Sequence, residues 1–406
     1  MVVAARGAAL ALGAALAACG GGGSGGEGQP VLVPAAPPAS GEPSPRARGA
    51  GPGEGLAEAA YELAIGVTLA CARVSGRVHC GALDPERPLT AEPPLAGLDD
   101  AVSVALGRGY GGGFGCVATR RGGVSCFGKN SQGQLGAGLR AEQSERPVPV
   151  TGLSGARRVV AGDLHACALL EGGPVKCWGF NASGQVGSPV SYEAAARELV
   201  APFEVAAAKG ASQIALSRSA SCALVDAGDL VCWGELPVSG PPPRPGKRGV
   251  PPRRLAETAG FSDLGAGEGG FCGVRQGEAL CWGELGPILA GRYGVQTPQH
   301  PLGLTRVKRV RLGQLHACAL HDDGRVSCWG LNSNGELGRG ASSEGYEPLG
   351  PEAVRGLPPA VDLVVGGSIS CAITAKREVY CWGRWPISGE REPRKEPRPI
   401  KVRAFE

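Results

Sequence analysis

Short runs in which apolar positions alternate on either side of a polar, glycine-bearing break organise most of this chain. The clearest is Cys167 to Gly179, which reads Cys-Ala-Leu-Leu, then Glu-Gly-Gly, then Pro-Val-Lys-Cys-Trp-Gly. This pattern predicts a β-hairpin. Cys318 to Gly330 repeats it most closely. Cys71 to Cys80, Cys116 to Cys126, Cys222 to Cys232, Cys272 to Cys281 and Cys371 to Cys381 are further copies, seven in all. With Cys167 opposite Cys177, the loop is Glu171-Gly172-Gly173. The same reading puts Gly122, Gly228 and Gly324 third in three-residue loops. That position needs a left-handed backbone, which glycine enters without a Cβ clash. The two shorter copies turn on Ser75-Gly76 and Gln276-Gly277, two-residue loops with glycine second. In both classes each cysteine is the fourth residue from the loop, so the pairing survives the change in turn length.

Directly opposed residues of antiparallel strands have Cα atoms roughly 4.5–5.5 Å apart, which overlaps disulfide geometry. Seven intra-hairpin disulfides are therefore expected, using fourteen of the fifteen cysteines. By chain entropy each short loop contributes roughly 2–3 kcal/mol. The competing reading is seven pairs of buried reduced thiols packing as small hydrophobes. Structural zinc wants cysteines two to four residues apart, and these lie nine or ten apart.

The fifteenth cysteine stands elsewhere. Residues 1–18 are a small, alanine-rich apolar run with one positive charge, Arg6, and read as an export signal. The run ends Leu16-Ala17-Ala18-Cys19, which resembles the bacterial lipobox, in which the cysteine becomes the acylated first residue of the mature chain. The competing reading is an ordinary cleaved signal with an incidental cysteine. Gly20, not Asp, follows Cys19, which by resemblance to enterobacterial sorting points to the outer membrane. Residues 19–54, rich in Gly, Pro, Ser and Ala, have too few large apolar side chains to bury a core and are expected to be a lipidated tether. An oxidising compartment fits the paired cysteines.

From about residue 55 to 406 the hairpins recur without a break. Their first cysteines are separated by 45, 51, 55, 50, 46 and 53 residues. A period near fifty with several short strands per unit marks a β-propeller blade. Each interval holds two further strand-like stretches: 147–150 and 158–162 before the third hairpin, 301–304 and 307–312 before the sixth, 352–356 and 361–366 before the seventh. The first hairpin has only Leu63 to Gly66 ahead of it, and the last is followed by a spare stretch, Pro397 to Val402. The expected fold is an all-β, seven-bladed propeller of four-stranded antiparallel blades, closed by the C-terminal strand completing the first blade. Gly 69 and Pro 34 of 406 residues would suggest low complexity without a period. Here the glycines sit at repeat-fixed turns.

Three longer segments carry a resemblance. Gly162 to Gly187 contains Gly-Asp-Leu-His-Ala-Cys, Cys-Trp-Gly and Asn181-Ala-Ser-Gly-Gln-Val-Gly187. Gly313 to Gly338 ends Asn332-Ser-Asn-Gly-Glu-Leu-Gly338, and the second unit has Gly128-Lys-Asn-Ser-Gln-Gly-Gln-Leu-Gly136. These resemble the repeat of the regulator of chromosome condensation, over nearly all of 55–406, in an exported lipoprotein branch. The resemblance implies a seven-bladed propeller. Unit one departs from it with Gly81 where Trp is usual and unit two with Phe127. Units four, five and seven lack the Asn-x-x-Gly-Gln-Leu-Gly turn.

Candidate chemistry is sparse. His165 and His316 sit two residues before a first cysteine, but the matching positions elsewhere hold Phe114, Ala220, Gly270, Leu69 and Ile369. No ring of ligands forms, so both are read as structural. Trp178, Trp233, Trp282, Trp329 and Trp382 recur at one repeat position and are expected to pack between blades, against the alternative of an aromatic cage. Basic clusters occur at Arg244 to Arg248 with Arg253 and Arg254, and at Lys308-Arg309. With a net charge of only +4 they read as solvated loops, not a nucleic-acid surface. No cofactor, metal or catalytic set has a local signature. The expected role is a non-enzymatic, monomeric envelope lipoprotein, periplasmic or surface-exposed. Its loops at 137–146, 188–201, 237–254, 339–350 and 384–396 would meet a protein or surface ligand. By family resemblance, guanine-nucleotide exchange is one alternative and inhibition of a secreted enzyme another. A lyase or hydrolase in the central channel is a third.

Digestion under non-reducing conditions followed by mass spectrometry should pair each cysteine between 71 and 381 with its own hairpin mate. Fourteen free thiols would refute this.

Overall fold

Seven antiparallel sheets stand around a central channel in the computed structural model. It describes residues 61–405 apart from 68, 109–112, 139–140, 189–198, 237–248, 256–257, 300–302 and 386–393. The export signal (1–18), Cys19 and the tether (19–54) lie outside the described residues. Blade one comprises β1 (Tyr61–Ile65), β2 (Ala70–Val74) and β3 (Arg77–Gly81). Blade two is β4 (Ala101–Leu106), β5 (Phe114–Thr119), β6 (Val124–Lys129) and β7 (Gln143–Pro149). Blade three is β8 (Ala156–Ala161), β9 (His165–Leu170), β10 (Val175–Gly179) and β11 (Leu199–Glu204). Blade four is β12 (Ala211–Leu216), β13 (Ala220–Val225), β14 (Asp229–Gly234) and β15 (Val250–Arg254). Blade five is β16 (Phe261–Ala266), β17 (Gly270–Arg275), β18 (Glu278–Gly283) and β19 (Val295–Gln299). Blade six is β20 (Val307–Leu312), β21 (His316–His321), β22 (Val326–Gly330) and β23 (Leu349–Ala353). Blade seven is β24 (Ala360–Val365), β25 (Ile369–Thr374), β26 (Val379–Arg384) and β27 (Lys395–Val402). The fold is therefore an all-β, seven-bladed propeller.

The predicted hairpins form in the predicted register. Cys167 opposes Cys177 and Cys318 opposes Cys328, and the other five pairs do the same. In blade three the Leu170 N–H donates to the Pro174 carbonyl, so hydrogen-bonded pairs fall at 170/174 and 168/176. The cysteines occupy the next non-hydrogen-bonded pair, 167/177, where Cα atoms come closest. Their Cα separations are 4.0–4.1 Å, and all seven pairs are bonded. Gly122, Gly228 and Gly324 take positive φ of 79°, 99° and 85° as the three-residue loops require. In the seventh hairpin Arg377 holds that third loop position, at φ 66°.

The mode of closure differs from expectation. The C-terminal strand β27 does not complete blade one. It pairs with β26 of its own blade, with Val402 opposite Val379 and Ile400 opposite Cys381. The cause lies in the direction of assembly. The strand after each Trp-Gly folds back on the hairpin that precedes it, so it is the outer strand of its own blade. Residues 147–150 thus belong to the second blade and 352–356 to the sixth, while the outer strand of blade five is Val295–Gln299, ahead of 301–304. The innermost strands expected at 158–162, 307–312 and 361–366 appear as β8, β20 and β24. Blade one keeps three strands, and its fourth place is reduced to one bridge between His79 and Pro94.

The ring closes through side chains instead. Leu63, Ile65, Leu83 and Leu89 of blade one share a buried cluster with Ile369, Trp385, Val402 and Ala404. Arg377 lies 4.3 Å from the Tyr61 ring centroid and donates to its hydroxyl at 2.8 Å. Phe405 packs on the other partner of this contact, with its ring centroid 5.4 Å from that of Tyr61. The Leu89 N–H donates to the Arg403 carbonyl at 3.3 Å.

Deleting residues 395–406 removes both the outer strand of blade seven and this clasp. Burial of Ile400, Val402 and Phe405 alone is worth at least ~3 kcal/mol, so calorimetry should show a melting temperature lower by several degrees. An unchanged melting temperature would refute closure by these contacts.

Candidate functional site

Three structures converge on the axis and on one face, and each is built from repeat positions. The first is the joint between blades. Trp178, Trp233, Trp282, Trp329 and Trp382 are all fully buried, so no aromatic cage faces solvent. The Trp178 indole donates to the Gln134 carbonyl of the preceding blade at 3.0 Å. Trp233 donates to Gln185 at 2.8 Å and Trp382 to Glu336 at 2.8 Å. The Asn-x-x-Gly-Gln-Leu-Gly turn is what presents that carbonyl. Asn130 Oδ1 accepts the Leu135 N–H, Asn181 Oδ1 that of Val186, and Asn332 Oδ1 that of Leu337. The last glycine must stay bare, because a Cβ on Gly136 would lie 2.6 Å from the Trp178 ring. Blade five lacks the turn, and its 3-10 helix Gly286–Leu289 offers the Ile288 carbonyl to Trp329 at 3.1 Å instead. Among the described residues Trp282 Nε1 has no partner; the ring stacks on Phe271 at 5.8 Å.

The two histidines belong to the same joint. His165 Nε2 bonds Ser221 Oγ at 2.9 Å and His316 Nε2 bonds Ser370 Oγ at 2.8 Å, each serine lying in the next blade. Burial lowers both imidazoles to about 3, so they stay neutral at ordinary pH. They are structural, as expected.

The second structure is the channel, which sequence reasoning missed. The third residue of each innermost strand from blade two onward, matched by Glu62 in β1, forms a polar ring: Glu62, Ser103, Arg158, Gln213, Asp263, Arg309 and Asp362. In blades two to seven a β-bulge falls just before it, for example between Ala101 and Ser103. A bulge re-aims the side chain that follows. Ring members reach to the next blade. Glu62 Oε2 accepts the Val104 N–H at 2.9 Å, Ser103 Oγ that of Val159 at 3.5 Å, and Asp263 Oδ2 that of Val310 at 2.9 Å. Gln213 donates to Asp263 at 3.1 Å and Arg309 pairs with Asp362. The Lys308-Arg309 pair is thus strand, not loop, and Arg309 is committed to the channel. Arg254 pairs with Asp226 and Asp229 at its own hairpin tip, and Arg244 to Arg248 lie outside the described residues.

Two residues beyond the ring, Ala64, Ala105, Val160, Ala215, Gly265 and Val364 leave room for Arg311, which bonds Asp263 at 2.7 Å. Asp263 and Asp362 raise the Arg311 pKa although burial opposes it. Two residues further the strands crowd together, and six of the seven positions are glycine, with Ser217 the exception. A Cβ on Gly313 would lie 2.7 Å from the Gly366 carbonyl, and on Gly267 2.8 Å from that of Gly313. Arg108 seals this end. Its guanidinium crosses from blade two to the carbonyls of Leu216, Ala266 and Leu312 at 3.0, 2.7 and 2.9 Å. Burial lowers its pKa, opposed by Asp163. The cavity that the strands line has a volume of about 230 Å³.

The third structure is the face on which the post-Trp-Gly segments emerge. Of the expected loops, the far ends are already strand, at Gln143, Leu199, Val250, Leu349 and Lys395. Residues 139–140, 189–198, 237–248 and 386–393 of these segments lie outside the described residues. Tyr293 and Tyr346 are 67% and 85% exposed on this face in blades five and six, and Leu315, in the turn before β21, is 41% exposed.

A propeller of this kind, glued by Trp to the turn of the blade before, is the class that the geometry defines. Residues 121–169 and 323–373 match the Regulator of chromosome condensation (RCC1) repeat, and 156–185 and 307–336 match a second description of the same repeat. The chain therefore carries regulator of chromosome condensation repeats. It is 29% identical over 281 residues to RCC1 domain-containing protein RUG3, mitochondrial, of Arabidopsis thaliana, a match covering 63% of this chain and 60% of that protein. The fold is shared with human WBSCR16 (TM-score 0.63, 19% identity, 81% of this chain and 85% of that one). Prp20p from Saccharomyces cerevisiae, described with its binding properties to Gsp1p and histones, has a TM-score of 0.58 at 20% identity, covering 70% and 75%.

The histidines predict a pH dependence. Their folded pKa is depressed below the unfolded 6.5, so the unfolded state binds more protons as pH falls. Stability should be complete above about 6.5 and decline from there toward 3, by up to ~1.4 kcal/mol per pH unit for each histidine. Melting temperatures measured from pH 7 to 4 should fall, and the fall should be shallower in His165→Gln/His316→Gln. An equal slope in that variant would refute the assignment.

Proposed function

We propose that this protein is a non-enzymatic lipoprotein of the cell envelope, acylated at Cys19, whose rigid propeller presents its loop face to a protein partner. The observation that carries the reading is the exposure of Tyr293, Tyr346 and Leu315 together on the face where the longest connections emerge. Three of the four large apolar side chains exposed among the described residues lie there. Aromatic anchors on loops held by a stiff scaffold lose little entropy on docking. The binding of Prp20p to Gsp1p and histones supports protein recognition as a use of this fold. The Leu-Ala-Ala-Cys sequence at 16–19 and the seven bridged hairpins support an exported, membrane-anchored setting.

Crosslinked pull-down from native envelopes tests the reading. Wild type should retain a partner that Tyr293→Ala/Tyr346→Ala loses by at least tenfold with the melting temperature unchanged. Cys19→Ser should move the protein from the membrane to the soluble fraction. Identical partners for wild type and Tyr293→Ala/Tyr346→Ala, or membrane retention of Cys19→Ser, would overturn the corresponding half.

A further inference from the structure

The channel holds one guanidinium that no carboxylate contacts directly. Its carboxylates are each matched: Glu62 with Arg73 at 3.3 Å, Asp263 with Arg311 at 2.7 Å, and Asp362 with Arg309. Arg108 is taken up by three carbonyls. Arg158 remains. It is the one ring member that makes no hydrogen bond or ion pair among the described residues, although its side chain lines the cavity. In the next blade Gln213 is only 8% exposed and lines the same cavity. Its Nε2 donates to Asp263, which fixes the amide orientation and leaves Oε1 as a buried acceptor without a partner.

We propose that this cavity is a binding site for a small oxyanion that also carries a hydroxyl group. The oxygens of the anion accept from the Arg158 guanidinium, whose planar fork matches two oxygens at once. The hydroxyl donates to Gln213 Oε1. A volume of about 230 Å³ leaves room for a small molecule beside the lining side chains. Glu62 and Asp362 lie close enough to act on the Arg158 charge. Burial lowers the Arg158 pKa, opposed by Glu62, Asp362 and Asp263. With the glycine end sealed by Arg108, entry is from the hairpin side, past Tyr61. Hydrogen phosphate and small 2-hydroxycarboxylates share this chemistry. The site does not depend on the lipid anchor or on the loop face.

Titration calorimetry on the full chain with its disulfides intact, at constant ionic strength and pH 7, distinguishes the sources. The probes are sodium phosphate, sodium glycolate and, lacking the hydroxyl, sodium acetate. One saturable site is expected for phosphate or glycolate, with acetate at least tenfold weaker. Arg158→Gln should abolish binding, and Arg158→Lys, which keeps the charge without the fork and safeguards the fold, should weaken it at least tenfold. Gln213→Leu should bring the better probe down to the level of acetate. No saturable binding of any probe by wild type, or affinity within twofold in both Arg158 variants, would overturn the proposal.

Discussion

A disulfide four residues from each hairpin tip pins the second and third strands in one register, and that register decides where every later side chain points. The residue after the second cysteine lands between blades; in five blades it is a tryptophan, and in four of these its indole donates to the neighbour's backbone. A slip of one residue would send it to the other side of the sheet. The cystine sits at the non-hydrogen-bonded pair, so it adds a covalent link without displacing a ladder hydrogen bond. Turn length varies between two and three residues, yet the cysteine position does not.

Once register is fixed, assembly of the ring is a nearest-neighbour matter. At four joints a blade offers a carbonyl to the indole of the next, and an asparagine-braced turn or a short 3-10 helix holds that carbonyl in place. The seam between last and first blades uses a different solution. Gly81 replaces the tryptophan of blade one, and Trp385 from blade seven fills the shared cluster from the opposite side. Arg377 accepts a left-handed backbone, where the corresponding residues of four other three-residue loops are glycine, and gains the Tyr61 contact. Local conformational cost is exchanged there for a tertiary joint.

The hairpins were legible because all their information is local: alternation, a turn residue with positive φ, and cysteines at matched distance. The outer strand was harder. A stretch such as Pro397 to Val402 can pair forward or backward, and periodicity alone does not choose between a strand that opens one unit and a strand that closes another. The polar ring left a signal that local reading passes over. A polar residue stands nine positions before the first cysteine in six blades, as Asp263 does before Cys272, and thirteen before it in the second, where Ser103 precedes Cys116. In a single strand this is ordinary polar alternation. Only the convergence of seven strands on one axis turns Glu62, Arg158 and Gln213 into neighbours. The same holds for Arg108, whose three acceptors come from three other blades.

Because each sheet is continuous in sequence, no strand is borrowed across the seam. A cut made in any connection from an outer strand to the next innermost one leaves every ladder whole. The molecule is therefore suited to circular permutation, and its gene to growth or loss by units of one blade, with the register of all remaining sheets preserved.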